Sequence, residues 1–145
     1  MERYFPKMDS LEAVLKAIRG GGISGLVVAA MTVLGGVFIF FAGGLPGEDT
    51  YLTEEDKLYA LIGVGIELLL VLLLTWRLWA GHGYVSGIIL LALSLLEAVL
   101  KVTSGGAGVA WIFLYAAIAV GLFNGVRGAL AYKRVKADSA AASAF

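Results

Sequence analysis

LYALIGVGIELLLVLLLTWRLWAGHGYVSGIILLALSLLEAVLK, residues 58–101, is two long apolar runs joined at Gly81-His82-Gly83. Each run carries one acid near its middle: Glu67 within Ile66-Glu67-Leu68-Leu69-Leu70, and Glu97 within Leu95-Leu96-Glu97-Ala98-Val99. About 20 apolar residues cross the roughly 30 Å of bilayer hydrocarbon as a helix, so the stretch reads as a helical hairpin in a membrane. Strands of a membrane barrel would be about 10 residues of alternating polarity, a pattern missing here.

The rest of the chain agrees. Of its 145 residues 60% are hydrophobic and 15% charged, with a mean hydropathy of +0.91. Soluble domains carry about 25% charged residues. Ile23–Leu45 and Ala107–Tyr132 complete a set of four spans with Lys57–Trp79 and Gly83–Thr103. Ile23–Leu45 follows basic residues, as a signal peptide would. Its apolar core of about 20 residues exceeds the 7–15 of a signal segment and no Ala-x-Ala site follows, so it reads as a retained helix. The expected fold is an all-α four-helix transmembrane bundle in one domain, 23–132. A segment 1–22 precedes it, and a basic stop with a disordered tail, 133–145, follows.

Within 1–22, Asp9-Ser10-Leu11-Glu12 resembles a capping box, with Asp9 as the cap. Leu11, Val14, Leu15 and Ile18 then recur at helical spacing, predicting a short amphipathic helix on the membrane surface. The alternative is an extension of the first span. Gly20-Gly21-Gly22 is expected to break or bend the chain. Before the second span, Thr53 with Asp56 three residues on is the expected N-cap.

Charge sets the topology. Arg3, Lys7, Lys16, Arg19, Arg77, Arg127, Lys133, Arg134 and Lys136 fall on one side of the four spans; Lys57 and Lys101 fall on the other. The five acids Glu48, Asp49, Glu54, Glu55 and Asp56 share that second side. Cytoplasmic loops are rich in Lys and Arg, so both termini are expected in the cytoplasm.

Composition also excludes chemistry. With no Cys there is no disulfide, thiolate metal site or Cys nucleophile. The single His82 rules out a bis-histidine haem held within the chain, and no metal-ligand spacing, phosphate loop or Ser/His/Asp arrangement is present. No cofactor is expected and no enzymatic activity; no basic aromatic surface offers itself to nucleic acid.

The residues left with chemistry lie in the spans. A charged acid at the bilayer centre costs about 2.5–3.5 kcal/mol on translocon scales, so Glu67 and Glu97 are expected to face inward and to be partnered or protonated. Lys101 stands four residues after Glu97, the favourable order for a helical ion pair, with Ser94 a turn before it. Read functionally, Glu67 and Glu97 bind protons or a cation, with Lys101 and Ser94 in support. Read structurally, they hydrogen-bond across helices to Ser94, Thr32, Asn124 or a partner subunit. Gly63, Ala117, Gly121, Asn124, Gly125 and Ala129 are the candidate packing positions, since small residues let membrane helices approach closely. Arg127, Lys133, Arg134 and Lys136 are placed to meet lipid head groups.

The stretch Asn124-Gly125-Val126-Arg127-Gly128-Ala129-Leu130-Ala131-Tyr132-Lys133-Arg134 resembles a helix ending of small bacterial four-helix inner-membrane proteins of unknown function. The resemblance covers about a tenth of the chain. It implies a bacterial cytoplasmic membrane and no particular activity. The leading functional expectation is a non-catalytic accessory or self-associating membrane protein, partnered by the lipid bilayer and by itself or a larger membrane complex. The alternative is a small transporter coupled to protons or cations through Glu67 and Glu97.

Overall fold

The computed structural model describes residues 5, 7–43, 52–81, 83–103 and 109–142. Among these residues the chain is all-helical: α1 (Leu11–Ala42), α2 (Glu54–Trp79), α3 (Tyr84–Thr103) and α4 (Val109–Ala142). All four helices are long and apolar enough to cross a membrane, the architecture of a multi-pass membrane protein. His82 and Ser104-Gly105-Gly106, where the sequence alone leads one to expect a tight turn, lie outside the described residues.

The helices form a ring. α1 packs on α4 and α2, α3 packs on α4 and more thinly on α2, and the diagonal pairs barely meet. The bundle thus has a terminal end, where α1 begins and α4 finishes, and a far end, where α1 and α3 finish. The buried core, including Val28, Val71, Leu74, Leu78, Leu90 and Leu122, runs through its middle. Outside it, Phe41, Tyr59, Leu69 and Phe113 are 70–80% exposed. In water such a surface would aggregate; in hydrocarbon it is the solvated face.

The separate interfacial helix expected before Gly20 is absent. α1 is one unbroken helix of 32 residues, and its first turns are the extension of the first span. The reason lies in the glycines. A Cβ on Gly21 would stand 2.7 Å from Gly125 Cα of α4, and one on Gly22 would stand 2.9 Å from the Trp79 ring of α2. These positions are contacts between helices, and the close fit holds the backbone helical where propensity alone would let it break. Leu11, Val14 and Ile18 have their apolar partners in Val135, Ala131 and Tyr132 of α4 rather than in a membrane surface. The cap also shifts by one residue. Ser10, in extended conformation, accepts the Ala13 N–H at 3.2 Å, so Ser10 and not Asp9 is the N-cap.

α4 also departs from expectation. It continues through 133–142, where a basic stop and then, from Ala137, a disordered tail were expected. Val135 is buried against Val14 and Ile18, and the alanines that follow are the best helix formers.

Other local features follow the sequence. Thr53 caps α2, accepting the Asp56 N–H at 3.2 Å while donating to Asp56 Oδ2 at 2.6 Å. Gly43 closes α1 in the left-handed region at φ 72°, where a side chain would be strained, and Gly81 ends the α2 turn at φ 73°.

Candidate functional site

α2 and α3 pack thinly, and a cleft lies between them with α1 as its back wall. Its deep part, about 360 Å³, is lined by Val28 of α1, Glu67, Leu70 and Val71 of α2, and Leu90, Ser94 and Glu97 of α3. A second cavity of about 540 Å³ takes in Thr32, Gly35 and Ile39 of α1, and Glu67, Glu97 and Lys101 again. Both carboxylates therefore line the same space. Val28, Val71 and Leu90 form its floor and belong to the packed core; beneath them toward the terminal end lie Leu74, Leu78 and Leu122.

The two acids are held differently. Glu97, half-buried, accepts from Tyr115 Oη of α4 at 2.7 Å and pairs with Lys101 Nζ at 3.2 Å. Both contacts use Oε1. The Lys101 ammonium also sits 4.9 Å from the Trp111 ring centroid and 5.7 Å from that of Tyr115. Glu67 is exposed on the chain surface and accepts from Thr32 Oγ1 at 3.4 Å, a long contact. Thr32 also donates to its own helix at Val28 O, so its hydroxyl is shared. The less satisfied acid is thus the one nearer the middle of its helix, and an unpartnered charge costs most at the centre of a membrane span.

Ser94 lines the cleft a turn below Glu97 and is 3% exposed. Its Oγ has no hydrogen-bond partner among the described residues, and neither does Oγ1 of Thr75, packed against Gly25. A buried hydroxyl without a partner costs about 1–3 kcal/mol, and most serines in helices avoid it by bonding back to a carbonyl.

Of the expected site residues, Glu67, Glu97, Lys101 and Ser94 share one cleft. The Glu97–Lys101 pair forms at the spacing expected, and of the candidate cross-helix partners Thr32 meets Glu67 while Ser94 is partner to neither acid. Tyr115 went unforeseen. Its signal was Trp111 and Tyr115 one turn apart on α4, near the depth of Lys101. Among the described residues no group of three or more His, Cys, Asp or Glu is placed to hold a metal ion.

The packing positions separate. Gly121, Gly125 and Ala129 face inward: Gly121 abuts Ser24 of α1, Gly125 abuts Gly21, and Ala129 is in the core. Ala117 is exposed. Gly63 makes no helix contact within the chain, since a Cβ there would meet nothing within 4 Å; it lines the cleft instead. Arg127 Nη1 donates to Asn124 Oδ1 at 3.4 Å, and its guanidinium lies 6.0 Å from the Phe123 ring, which Phe5 meets edge-on. Lys133, Arg134 and Lys136 are exposed near the terminal end, with Lys136 over the Tyr132 ring.

Tyr115→Phe removes a charge-assisted donor from Glu97. A loss of about 1–2 kcal/mol is expected, small for such a bond because lipid-embedded alternatives also find partners. Denaturant titration of the variant in mixed micelles measures it.

Comparison with protein families, with characterised proteins and with solved structures finds no match to this chain.

Proposed function

We propose that the chain is a small transporter of the bacterial cytoplasmic membrane that takes a proton or cation into the cleft at Glu67 and Glu97. One observation carries the reading: two carboxylates on different helices line one cavity, and the packed core closes that cavity toward the terminal end. An ion pathway needs a charged site reachable from one side and sealed from the other, and acids within spans are where such pathways run. A bound cation or proton also neutralises Glu67, relieving a charge that Thr32 alone holds weakly. The lysine and arginine bias supports cytoplasmic termini, and with that orientation the cleft faces outward. The thin α2–α3 seam is the place for the opposite opening.

The test is flux. Purified protein in proteoliposomes with a trapped pH- or sodium-sensitive dye should dissipate an imposed gradient faster than protein-free vesicles. Equal rates for protons, sodium and potassium overturn the reading.

A second reading, an accessory or self-associating subunit, is favoured by the exposure of Glu67, which a neighbouring subunit across α2 would cover. It draws nothing from Gly121 and Gly125, which α1 occupies. It predicts a stable oligomer or larger complex in mild detergent, and no flux.

A further inference from the structure

We propose that the cleft binds an alkylammonium, an organic amine with its charge on an apolar body, in preference to a bare metal ion. The proposal rests on the cleft being a cation pathway and names the cation.

Lys101 is itself an alkylammonium seated there. Its Nζ lies 3.2 Å from Glu97 Oε1 and over two aromatic rings, at 4.9 Å from Trp111 and 5.7 Å from Tyr115. The two rings lie on α4, outside the cleft's lining, so within the cleft it is the Glu97 carboxylate that holds the ammonium. The chain thus carries a tethered stand-in for its ligand.

Acceptors remain in the cleft beyond the stand-in. Glu67 has one long hydrogen bond, to Thr32, and Ser94 Oγ, buried at 3% exposure, has none among the described residues. A primary ammonium presents three N–H donors, which suit one carboxylate and one hydroxyl. The walls around them are apolar, with Ile66, Leu70, Leu93 and Leu96, and the space of about 360 Å³ exceeds what a single ion fills. An amine's hydrocarbon body packs on that surface, which is shared with lipid where Ile66 and Leu96 are more than half exposed.

A bare divalent cation is poorly served. Calcium takes six to eight oxygens and magnesium six in near-ideal geometry. The cleft has two carboxylates, and Glu97 already accepts from Tyr115 and Lys101. An ammonium needs fewer ligands and can share Glu97 by displacing Lys101.

The probe is phenethylammonium, titrated calorimetrically into the full chain in lipid nanodiscs, with empty discs subtracted for partitioning. Saturable binding is expected. Glu67→Gln should weaken it at least about tenfold. Ser94→Ala should weaken it severalfold. Lys101→Met, which keeps the apolar stem and removes the stand-in, should tighten it. Heat equal to that of empty discs, or binding indifferent to both Glu67→Gln and Ser94→Ala, overturns the proposal.

The Glu67 carboxyl infrared band, assigned with Glu67→Gln, separates the two levels of the claim. If protons or sodium move the band and the amine does not, the ammonium assignment falls and the cation pathway stands. If none of the three moves it, both fall.

Discussion

Replacing Gly125 with leucine should pull α4 away from α1 and leave little folded bundle. A Cβ at Gly125 would lie 2.8 Å from Gly21 Cα, and one at Gly21 would lie 2.7 Å from Gly125 Cα. The obstruction is backbone on both sides, so no side chain can swing aside. Leu78 closes the third side, its Cδ2 at 3.4 Å from the same Cβ position. Overpacking a core typically costs about 1–3 kcal/mol, and a seam of backbone against backbone belongs at or above that upper limit. The α1–α4 seam is the most extensive in the ring, so its loss unseats the others. Gly63→Leu is the control. Nothing lies within 4 Å of its Cβ, and a change within about 0.5 kcal/mol is expected, as at other unobstructed surfaces. Denaturant titration in mixed micelles compares the two. A Gly125→Leu protein as stable as Gly63→Leu would show that α1 and α4 do not meet at these glycines.

Glu67→Gln should abolish flux while leaving the fold intact. Among the described residues the side chain accepts one hydrogen bond, from Thr32 Oγ1 at 3.4 Å, which an amide oxygen can still accept. The neutral amide also lifts a penalty of about 2.5–3.5 kcal/mol for a mid-membrane charge, so stability should hold or rise. What disappears is the charge proposed to bind a proton or cation. Loss of flux with retained stability separates a transport role from a structural one. Glu97→Gln differs: it strips Lys101 and Tyr115 of a shared acceptor, so stability should fall with function. Unchanged flux in Glu67→Gln would remove Glu67 from the mechanism.

Much of this was legible in the chain because membrane spans announce themselves by length. The four runs, the Glu97–Lys101 spacing and the Thr53 cap needed only local rules. The arrangement of helices in the ring was not legible, for a physical reason. In water the buried face of a helix is the apolar one, but in lipid both faces are apolar, and the periodicity that points to a core fades. Gly20-Gly21-Gly22 shows the consequence. Three glycines in a row read as a break by soluble-protein rules. The better signal was Gly21-x-x-x-Gly25, a spacing that matches Gly121-x-x-x-Gly125 on α4. Both stripes face inward, Gly21 onto Gly125 and Gly25 onto Thr75. Tyr115 escaped because its partner lies 18 residues away on another helix, beyond any spacing rule.

In the proposed pathway Glu67 and Ser94 line a cleft reachable from the far end and closed at Leu90. The chain has no cysteine, so single-cysteine variants report one position each. Glu67→Cys, Ser94→Cys and Leu90→Cys would be treated in intact proteoliposomes of known orientation with a charged, membrane-impermeant thiosulfonate, which needs water at the thiol. Rapid labelling at position 67 from the far-end side, slower labelling at the buried position 94 and protection of Leu90→Cys is the predicted result. Protection at 67 and 94 alike, from both sides, would contradict the account and leave the two acids sealed in protein and lipid.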